Sequence, residues 1–109
     1  MRIWDIAPRK LCRNHLLGEH RELHAIWSIL TKNKCGYRHH PEVLRWEGRL
    51  RPLYYRHESL VKELKRRGYR HFSPLDKRRV SGPARQDVLV DSISRQAAIL
   101  KNKKCGCKI

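Results

Sequence analysis

Acidic residues are scarce in this chain. Its 109 residues contain 10 Asp and Glu against 26 Lys and Arg, which gives a formal net charge of +16. Such an excess of positive charge disfavours a compact state unless a polyanion is close by, so the composition predicts nucleic acid as the first candidate partner. A membrane surface is the second candidate. It is less favoured because no helix pairs a wholly basic face with exposed Trp and Leu.

Long apolar runs are also missing. No stretch approaches the roughly 20 residues of a membrane-spanning helix, and the opening residues MRIWDIAPRK lack the apolar core of a signal peptide. We therefore expect an intracellular protein whose four cysteines are mostly reduced. It would act in the cytoplasm or nucleoid, or in the host cell if it is virus-encoded. The length suits one small domain, residues 1–109, which we expect to be a monomer.

Cysteine is present without an evident metal-binding pattern. Cys105 and Cys107 form a tight pair, but no second pair stands at zinc-finger spacing. Cys12 falls on an apolar helical stripe, where we expect a small core residue. The pattern therefore predicts no bound metal and leaves zinc as the less favoured alternative.

Apolar spacing predicts three helices. The stripe of the first consists of Cys12, Leu16, Leu23, Trp27 and Leu30. The second helix is expected from about Pro52 to just before Gly68. The third is expected from about Arg85 to Lys103, with an apolar stripe of Leu89, Ile93, Ala97 and Leu100. Long basic loops join them. The predicted fold class is all-α, a compact single domain of about three helices.

Two glutamates lie near the stripe of the first helix. At about 100° per residue, Glu19 falls close to the centre of the stripe and Glu22 on its shoulder, beside His15. A carboxylate near a core is costly to bury unless it is paired, so the simplest interpretation is that both form ion pairs with local Arg and Lys. Periodicity alone does not choose between them for a chemical role.

Three segments of the chain resemble segments of a known enzyme family and occur in the same order. They are Arg2-Ile3 followed by NHLLGEHREL (14–23), then GYRHHPEVLRW (36–46), then YYRHESLVKELKRRGY (54–69). Together they resemble the pyrimidine-dimer DNA glycosylases, the family of the bacteriophage endonuclease V. The resemblance covers about the first three-quarters of the chain, and residues from about 75 to 109 diverge from it.

The resemblance implies a bifunctional DNA glycosylase and abasic-site lyase that acts on damaged double-stranded DNA and needs no metal and no other cofactor. In that family the N-terminal α-amine attacks C1′ of the damaged nucleotide, and β-elimination from the resulting Schiff base nicks the strand. The nucleophile would be the α-amine of Met1, and the acidic catalyst would be Glu22, the glutamate of the REL triplet. An α-amine suits this role because its reference pKa is about 8, against about 10.4 for lysine.

Basic and polar residues around these two would contact DNA. The candidates are Arg2, Asn14, His15, Arg21, His24, His39, His40, Arg45, Lys101 and Lys103. For Asn14 and His15 a plain surface role is equally favoured, and a solvated helix end is the simplest interpretation of the two lysines. Trp46, in the same basic loop as Arg45, is expected in the core.

Two alternatives stay open. The phage enzymes have a further Arg one turn after the catalytic glutamate, where this chain has Ala25, so the excised base could be another damaged or modified base. A second alternative is a small nucleic-acid-binding protein without catalysis. Only an enzyme of this class would form a covalent adduct with DNA under borohydride.

Overall fold

The described part of the chain contains four α-helices. The structure, a computed structural model, describes residues 2–70 and 73–109. The helices are α1 (Arg13–Thr31), α2 (Pro41–Leu44), α3 (Leu50–Arg66) and α4 (Ile93–Asn102), with short 3₁₀ turns at Pro8–Lys10 and Lys77–Arg79. The two described stretches contain no strand, which confirms the predicted all-α class. None of their helices is long and apolar enough to span a bilayer.

Helices α1 and α3 pack against each other along their apolar stripes. Leu16 and Leu23 of α1 and Leu53 and Leu60 of α3 are completely buried, as the spacing predicts. Pro52 lies in the first turn of α3, where a helix does not need the missing N–H. These two helices supply the largest share of the core and fix the orientation of the α1 face that is described below.

The third predicted helix was too long. It was expected from Arg85, but α4 begins only at Ile93, because Ser92 caps it: the Ser92 hydroxyl accepts a hydrogen bond from the Arg95 N–H at 3.1 Å. The segment before the cap is irregular, and Leu89, expected on the buried stripe, is exposed.

The predicted loop between the first two long helices contains α2. His40 caps this helix, since its Nδ1 accepts a hydrogen bond from the Glu42 N–H at 3.1 Å. Val43 and Trp46 are buried beneath it. The prediction that Trp46 belongs to the core is confirmed, and the prediction of a wholly irregular loop is wrong.

The first residues of the chain run through the core. Ile3, Trp4 and Ile6 are buried although they belong to neither helix nor strand. The amides of residues 3–5 therefore need acceptors from side chains. The bonds run from Ile3 to Glu42 (3.1 Å), from Trp4 to Glu19 (3.1 Å) and from Asp5 to Gln96 (2.7 Å). Helices α2, α1 and α4 each contribute one acceptor.

The end of α3 holds the stretch before α1. Arg67 donates through Nη2 to the carbonyl oxygens of Leu11 at 2.7 Å and of Pro8 and Arg9 at 3.3 Å. The Arg67 guanidinium is in turn fixed by the carboxylate of Glu63, at 2.7 Å. Glu63 thus links α3 to the segment that leads into α1.

Acid should weaken the fold through Glu63. Hydrogen bonds from Arg66 and Arg67 lower the pKa of Glu63 to about 2, from an ordinary value of 4.5. Because the folded-state pKa is depressed, the carboxylate stabilises the fold above about pH 4.5, and this contribution disappears as the pH falls toward 2. We expect Glu63→Gln to lower the free energy of unfolding at pH 7 and to flatten its pH dependence in that window. Urea unfolding across the pH range measures both effects.

The control for this experiment is Glu47→Gln. Glu47 pairs with Arg38 at 2.9 Å, but half of its side chain is exposed, so the pair contributes little to stability. This variant should keep the wild-type profile. A Glu63→Gln protein with an unchanged acid slope would contradict the assignment.

Candidate active site

A cleft of about 320 Å³ lies between the N-terminal segment, one face of α1 and the end of α4. It is lined by Arg2, Trp4, Asn14, His15, Gly18, Glu19, Glu22, Ile99 and Lys103. The α1 residues 15, 18, 19 and 22 share one face because they are three and four positions apart. The cleft thus brings together five residues that the sequence predicts as functional. They are Arg2, Asn14, His15, Glu22 and Lys103.

Glu19 forms the floor of this cleft and is committed to the fold. Only 2% of the residue is exposed, and Arg56 of α3 binds both of its carboxylate oxygens, at 2.6 and 2.9 Å. The Trp4 N–H donates to the same carboxylate. Burial raises the pKa of Glu19, and the Arg56 guanidinium acts in the opposite direction. The expected ion pair is therefore present for Glu19, although its partner comes from another helix.

Glu22 differs from every other acid in the chain. Nine of the ten Asp and Glu side chains form an ion pair with an Arg or, in one case, a contact with a histidine ring. Among residues 2–70 and 73–109, Glu22 has no ion-pair or hydrogen-bond partner. Its half-buried side chain lines the cleft. The general expectation that both glutamates are neutralised locally therefore does not fit Glu22.

Arg2 is held in place at the mouth of the cleft. Its guanidinium lies over the Trp4 ring, 4.9 Å from the ring centroid, and Nη1 bonds Asp91 at 2.8 Å. A third of the side chain is exposed. Arg2, paired with Asp91, thus lines the same cleft as Glu22. Met1, the predicted nucleophile, lies outside the described residues.

His15 stands between the cleft and a group of cysteines. Its ring meets the Trp4 ring edge-on at 5.7 Å, and its Nδ1 lies 3.1 Å from the sulfur of Cys12. Burial, followed by the charge of Lys103, lowers the pKa of His15, so its imidazole is neutral at pH 7. Cys12 is half-buried beside this ring and caps α1, so the prediction that it is a core residue is wrong.

Arg21 and His24 lie on a different face of α1. Together with Leu17, His20 and Ser73 they line a second depression. His24 Nε2 lies 3.1 Å from Nε2 of the buried His57. Burial, followed by the neighbouring His57, lowers the pKa of His24. These two predicted DNA-contact residues are therefore not part of the Glu22 cleft.

Arg45 does not lie where it could contact DNA. Its side chain is 2% exposed, and its guanidinium is bound to Glu42 at 2.8 Å and Asp5 at 3.0 Å. It also donates to the carbonyl oxygens of Ile3 and Val88, both at 3.0 Å. The sequence suggested a surface phosphate contact, whereas the side chain ties the N-terminal segment to the stretch before α4.

The remaining candidates lie at the surface, away from the cleft lining. His39 is exposed in the turn before α2, and His40 caps that helix. Lys101 is exposed in the last turn of α4, two residues after the cleft residue Ile99. Their contacts with DNA stay predictions.

Three residues that hold the N-terminal region, Arg56, Gln96 and Asp91, were not predicted from the sequence. Each acts on a residue near the start of the chain from a distant position: Arg56 on Glu19, Gln96 on Asp5 and Asp91 on Arg2. The sequence contains no local signal for these pairs. Gly18 was also overlooked, although a glycine inside a long helix is a detectable irregularity.

Comparison with known proteins identifies a family. The family model described as pyrimidine dimer DNA glycosylase matches residues 1–77. This stretch includes α1, α2 and α3 and every cleft residue except Ile99 and Lys103. No curated protein and no solved structure matches the chain.

Gly18 should keep the cleft open at the expense of helix stability. A Cβ built at this position meets no atom within 4 Å, so alanine fits without a clash and occupies cleft space. We expect Gly18→Ala to stabilise the protein by about 0.5–1 kcal/mol, since glycine is that much worse inside a helix. It should also slow turnover of pyrimidine-dimer DNA, the substrate class of the matched family. Thermal unfolding and nicking of irradiated plasmid measure the two effects.

The matched control is Gly36→Ala. Gly36 lies outside the cleft, and a Cβ there also meets nothing within 4 Å. Its turnover should equal that of the wild type. If Gly18→Ala were as active as this control, the space above Gly18 would not be used by substrate.

Proposed function

Because the chain belongs to the pyrimidine dimer DNA glycosylase family, we propose that it is a DNA repair enzyme that removes pyrimidine-dimer bases and then cleaves the strand at the abasic site. Double-stranded DNA with damaged bases is its substrate. The absence of Arg at position 25, where Ala25 stands, leaves another damaged or modified base as the second candidate.

The observation that carries the proposal is that a buried N-terminal segment and a carboxylate without a partner among the described residues line the same cleft. The first residues of most chains are loosely held. Here Ile3 and Trp4 are core residues, and Arg2, the residue bonded to Met1, lines the same cleft as Glu22. An enzyme that uses its own α-amine needs such a fixed segment, because a nucleophile is effective only when it is positioned.

The proposed chemistry begins at the α-amine of Met1. Its neutral nitrogen attacks C1′ of the damaged nucleotide, the glycosidic bond breaks, and the bonding electron pair leaves with the base. The bound nitrogen then loses one proton, the C1′–O4′ bond breaks to open the sugar ring, the ring oxygen takes up a proton, and a protonated imine remains. Removal of a proton from C2′ then expels the 3′ phosphate by β-elimination. The positive charge of Arg2 supports the first step, the attack by the α-amine, since a neighbouring cation favours the neutral form of an amine.

Glu22 is the acid-base group of this scheme. Its carboxylate stabilises the positive charge that develops on the sugar as the base departs, and it can accept and return protons during ring opening and elimination. An acid already neutralised by arginine could not do this as effectively. Glu22, without a partner among the described residues, is free for this role, whereas Glu19 is bound by Arg56.

Binding to duplex DNA follows from the distribution of charge. Nine acids contact basic residues inside the protein, and the bases still exceed the acids by 16. Arg13, Lys101 and Lys103 are exposed, and Lys103 lines the cleft, so these residues can contact phosphates. Arg21 and His39 extend the basic surface on the neighbouring faces. The target nucleotide must leave the helix to reach the cleft, at a cost of a few kcal/mol of unstacking.

Glu22→Gln tests the assignment of the acid. The amide keeps the shape of the side chain and removes its charge and proton-transfer capacity, so we expect base excision to fall by about 10²–10⁴-fold. Binding to damaged duplex and the melting temperature should stay close to the wild type, because no described residue depends on the Glu22 carboxylate. Single-turnover excision and fluorescence anisotropy measure the two properties.

Glu19→Gln is the matched comparison. It removes half of a buried ion pair and leaves Arg56 uncompensated, which typically costs about 3–5 kcal/mol of stability. We expect a clear drop in melting temperature and, at a temperature where the variant is folded, a smaller loss of excision than in Glu22→Gln. The reverse order of the two excision rates would reject Glu22 as the catalyst.

The α-amine is tested by blocking it. A protein with an N-terminal extension before Met1 should bind DNA normally and neither release the base nor nick the strand, because an amide is not nucleophilic. The protein with a free Met1 amine should form a stable DNA adduct when borohydride is present. Digestion should place that adduct on the peptide beginning Met1-Arg2-Ile3.

Lys103 provides the control for the adduct, since it is a lysine that lines the cleft. Lys103→Gln should retain adduct formation at Met1. A fully active extended protein, or an adduct that maps to Lys103, would show that the nucleophile is not the α-amine.

A further inference from the structure

Four side chains with metal-binding atoms converge beside the cleft. Cys12 and His15 come from the cap and first turn of α1, and Cys105 and Cys107 come from the tail after α4. Their sulfur and nitrogen atoms all lie within 4.8 Å of one another. The two halves are separated by about 90 residues, which is why the spacing in the sequence shows no zinc pattern.

The distances fit a single tetrahedral ion. Nδ1 of His15 lies 3.1 Å from the sulfur of Cys12, 3.3 Å from that of Cys105 and 3.4 Å from that of Cys107. The sulfurs of Cys105 and Cys107 are 3.5 Å apart. With zinc–sulfur bonds of about 2.3 Å and zinc–nitrogen bonds of about 2.0–2.1 Å, a tetrahedron places sulfurs about 3.8 Å apart and sulfur about 3.6 Å from nitrogen. The four distances lie within about half an ångström of these values.

We propose that Cys12, His15, Cys105 and Cys107 bind one zinc ion in a closed structural site. A single imidazole N–H donates to one sulfur at a time, so hydrogen bonding does not account for one nitrogen close to three sulfurs. A disulfide would use two sulfurs and leave the third sulfur and the histidine unexplained. A shared cation accounts for all four, and three thiolates with one histidine are a usual ligand set for zinc.

The surroundings support the ligands. The Cys12 N–H donates to the sulfur of Cys107 at 3.1 Å, a bond of the kind that orients a metal-bound thiolate. Gly106 lies between the two tail cysteines with φ of +96°, a conformation that other residues rarely adopt. This turn lets Cys105 and Cys107 face the same point. The Lys108 N–H then bonds the carbonyl oxygen of Lys10 at 2.7 Å and fastens the tail.

The charge of the site also suits its environment. Three thiolates and one Zn²⁺ give a net charge of −1, and the adjoining depression is lined by several bases, among them Arg9, Arg13 and Lys108. The zinc site would thus add a negative charge beside these bases, in a chain that has few acids. The reaction of the proposed function does not involve this ion, and the inference does not rest on that function.

The site would join the part of the chain outside the family match to the part inside it. Cys105 and Cys107 lie beyond residue 77, whereas Cys12 and His15 lie within the matched stretch. Zinc would hold the end of α4, with Ile99 and Lys103, against the cleft face of α1. This conclusion replaces the expectation, drawn from the sequence, that no metal is bound.

Zinc content of the reduced, full-length protein tests the proposal. Protein expressed with added zinc and then desalted should carry about one zinc ion per chain by elemental analysis. Cys107→Ser should lose that zinc, with affinity reduced by more than the roughly 100-fold that loss of a supporting neighbour typically causes. Cys35→Ser should keep it, because Cys35 is an exposed cysteine outside the cluster.

A second histidine-rich group provides another control. His20, His24 and His57 also place their ring nitrogens within 4.8 Å of one another. His24→Gln should retain zinc if the cysteine cluster is the site, and loss of zinc in this variant would overturn the proposal. Unchanged zinc content in Cys107→Ser would overturn it as well.

Cobalt substitution keeps the test valid if Cys107→Ser fails to fold. Co²⁺ bound to the wild-type protein through three thiolates should give intense sulfur-to-metal charge-transfer absorption and the visible bands of a tetrahedral site, and added Zn²⁺ should remove both. Absence of the charge-transfer absorption would reject the cluster. So would a protein that, when isolated under reducing conditions, binds no zinc or contains a disulfide among these cysteines.

Discussion

The fold depends on how the buried N-terminal segment satisfies its backbone. Residues 3–5 have no strand partner, and a buried amide without an acceptor is costly. Glu42, Glu19 and Gln96, from three different helices, each accept one of these amides. The carboxylates are neutralised in turn by buried arginines. The core is therefore organised around polar anchors for one irregular stretch, and the apolar contacts between α1 and α3 surround them.

This arrangement explains the distribution of the few acids. Most acids accept hydrogen bonds from backbone amides or form ion pairs with arginines. The remaining positive charge lies at the surface. One carboxylate, that of Glu22, lies in the cleft without a described partner. Buried ion pairs contribute little net stability compared with apolar residues of the same volume, and their value is often in specifying one arrangement. Here they fix the position of the chain's first residues, which is the requirement that an enzyme with an N-terminal nucleophile would impose.

The elements with strong periodicity could be predicted from sequence, and the tertiary pairs could not. Leu16 and Leu23 followed the helical stripe because burial of one helix face imposes that spacing. The start of α4 was misplaced because the apolar residues around Leu89 continue the stripe, while the Ser92 cap outweighs them. The resemblance selected Glu22 as the catalytic acid, whereas the residues alone could not choose between Glu22 and Glu19. The two glutamates differ because Glu19 has an ion pair with Arg56, a residue 37 positions away. The cysteine cluster was missed for the same reason.

Three of the contacts that hold residues 2–10 come from positions about 90 or more residues away. Asp5 bonds Gln96, Arg2 bonds Asp91, and Lys10 accepts from Lys108. During synthesis on the ribosome the segment of residues 2–10 therefore waits for these partners until residues 91–108 have been made. Contacts so distant in sequence slow folding, because a long loop must close before they form. The cleft is completed only when Ile99 and Lys103 have been added, so a nascent chain without α4 does not present it.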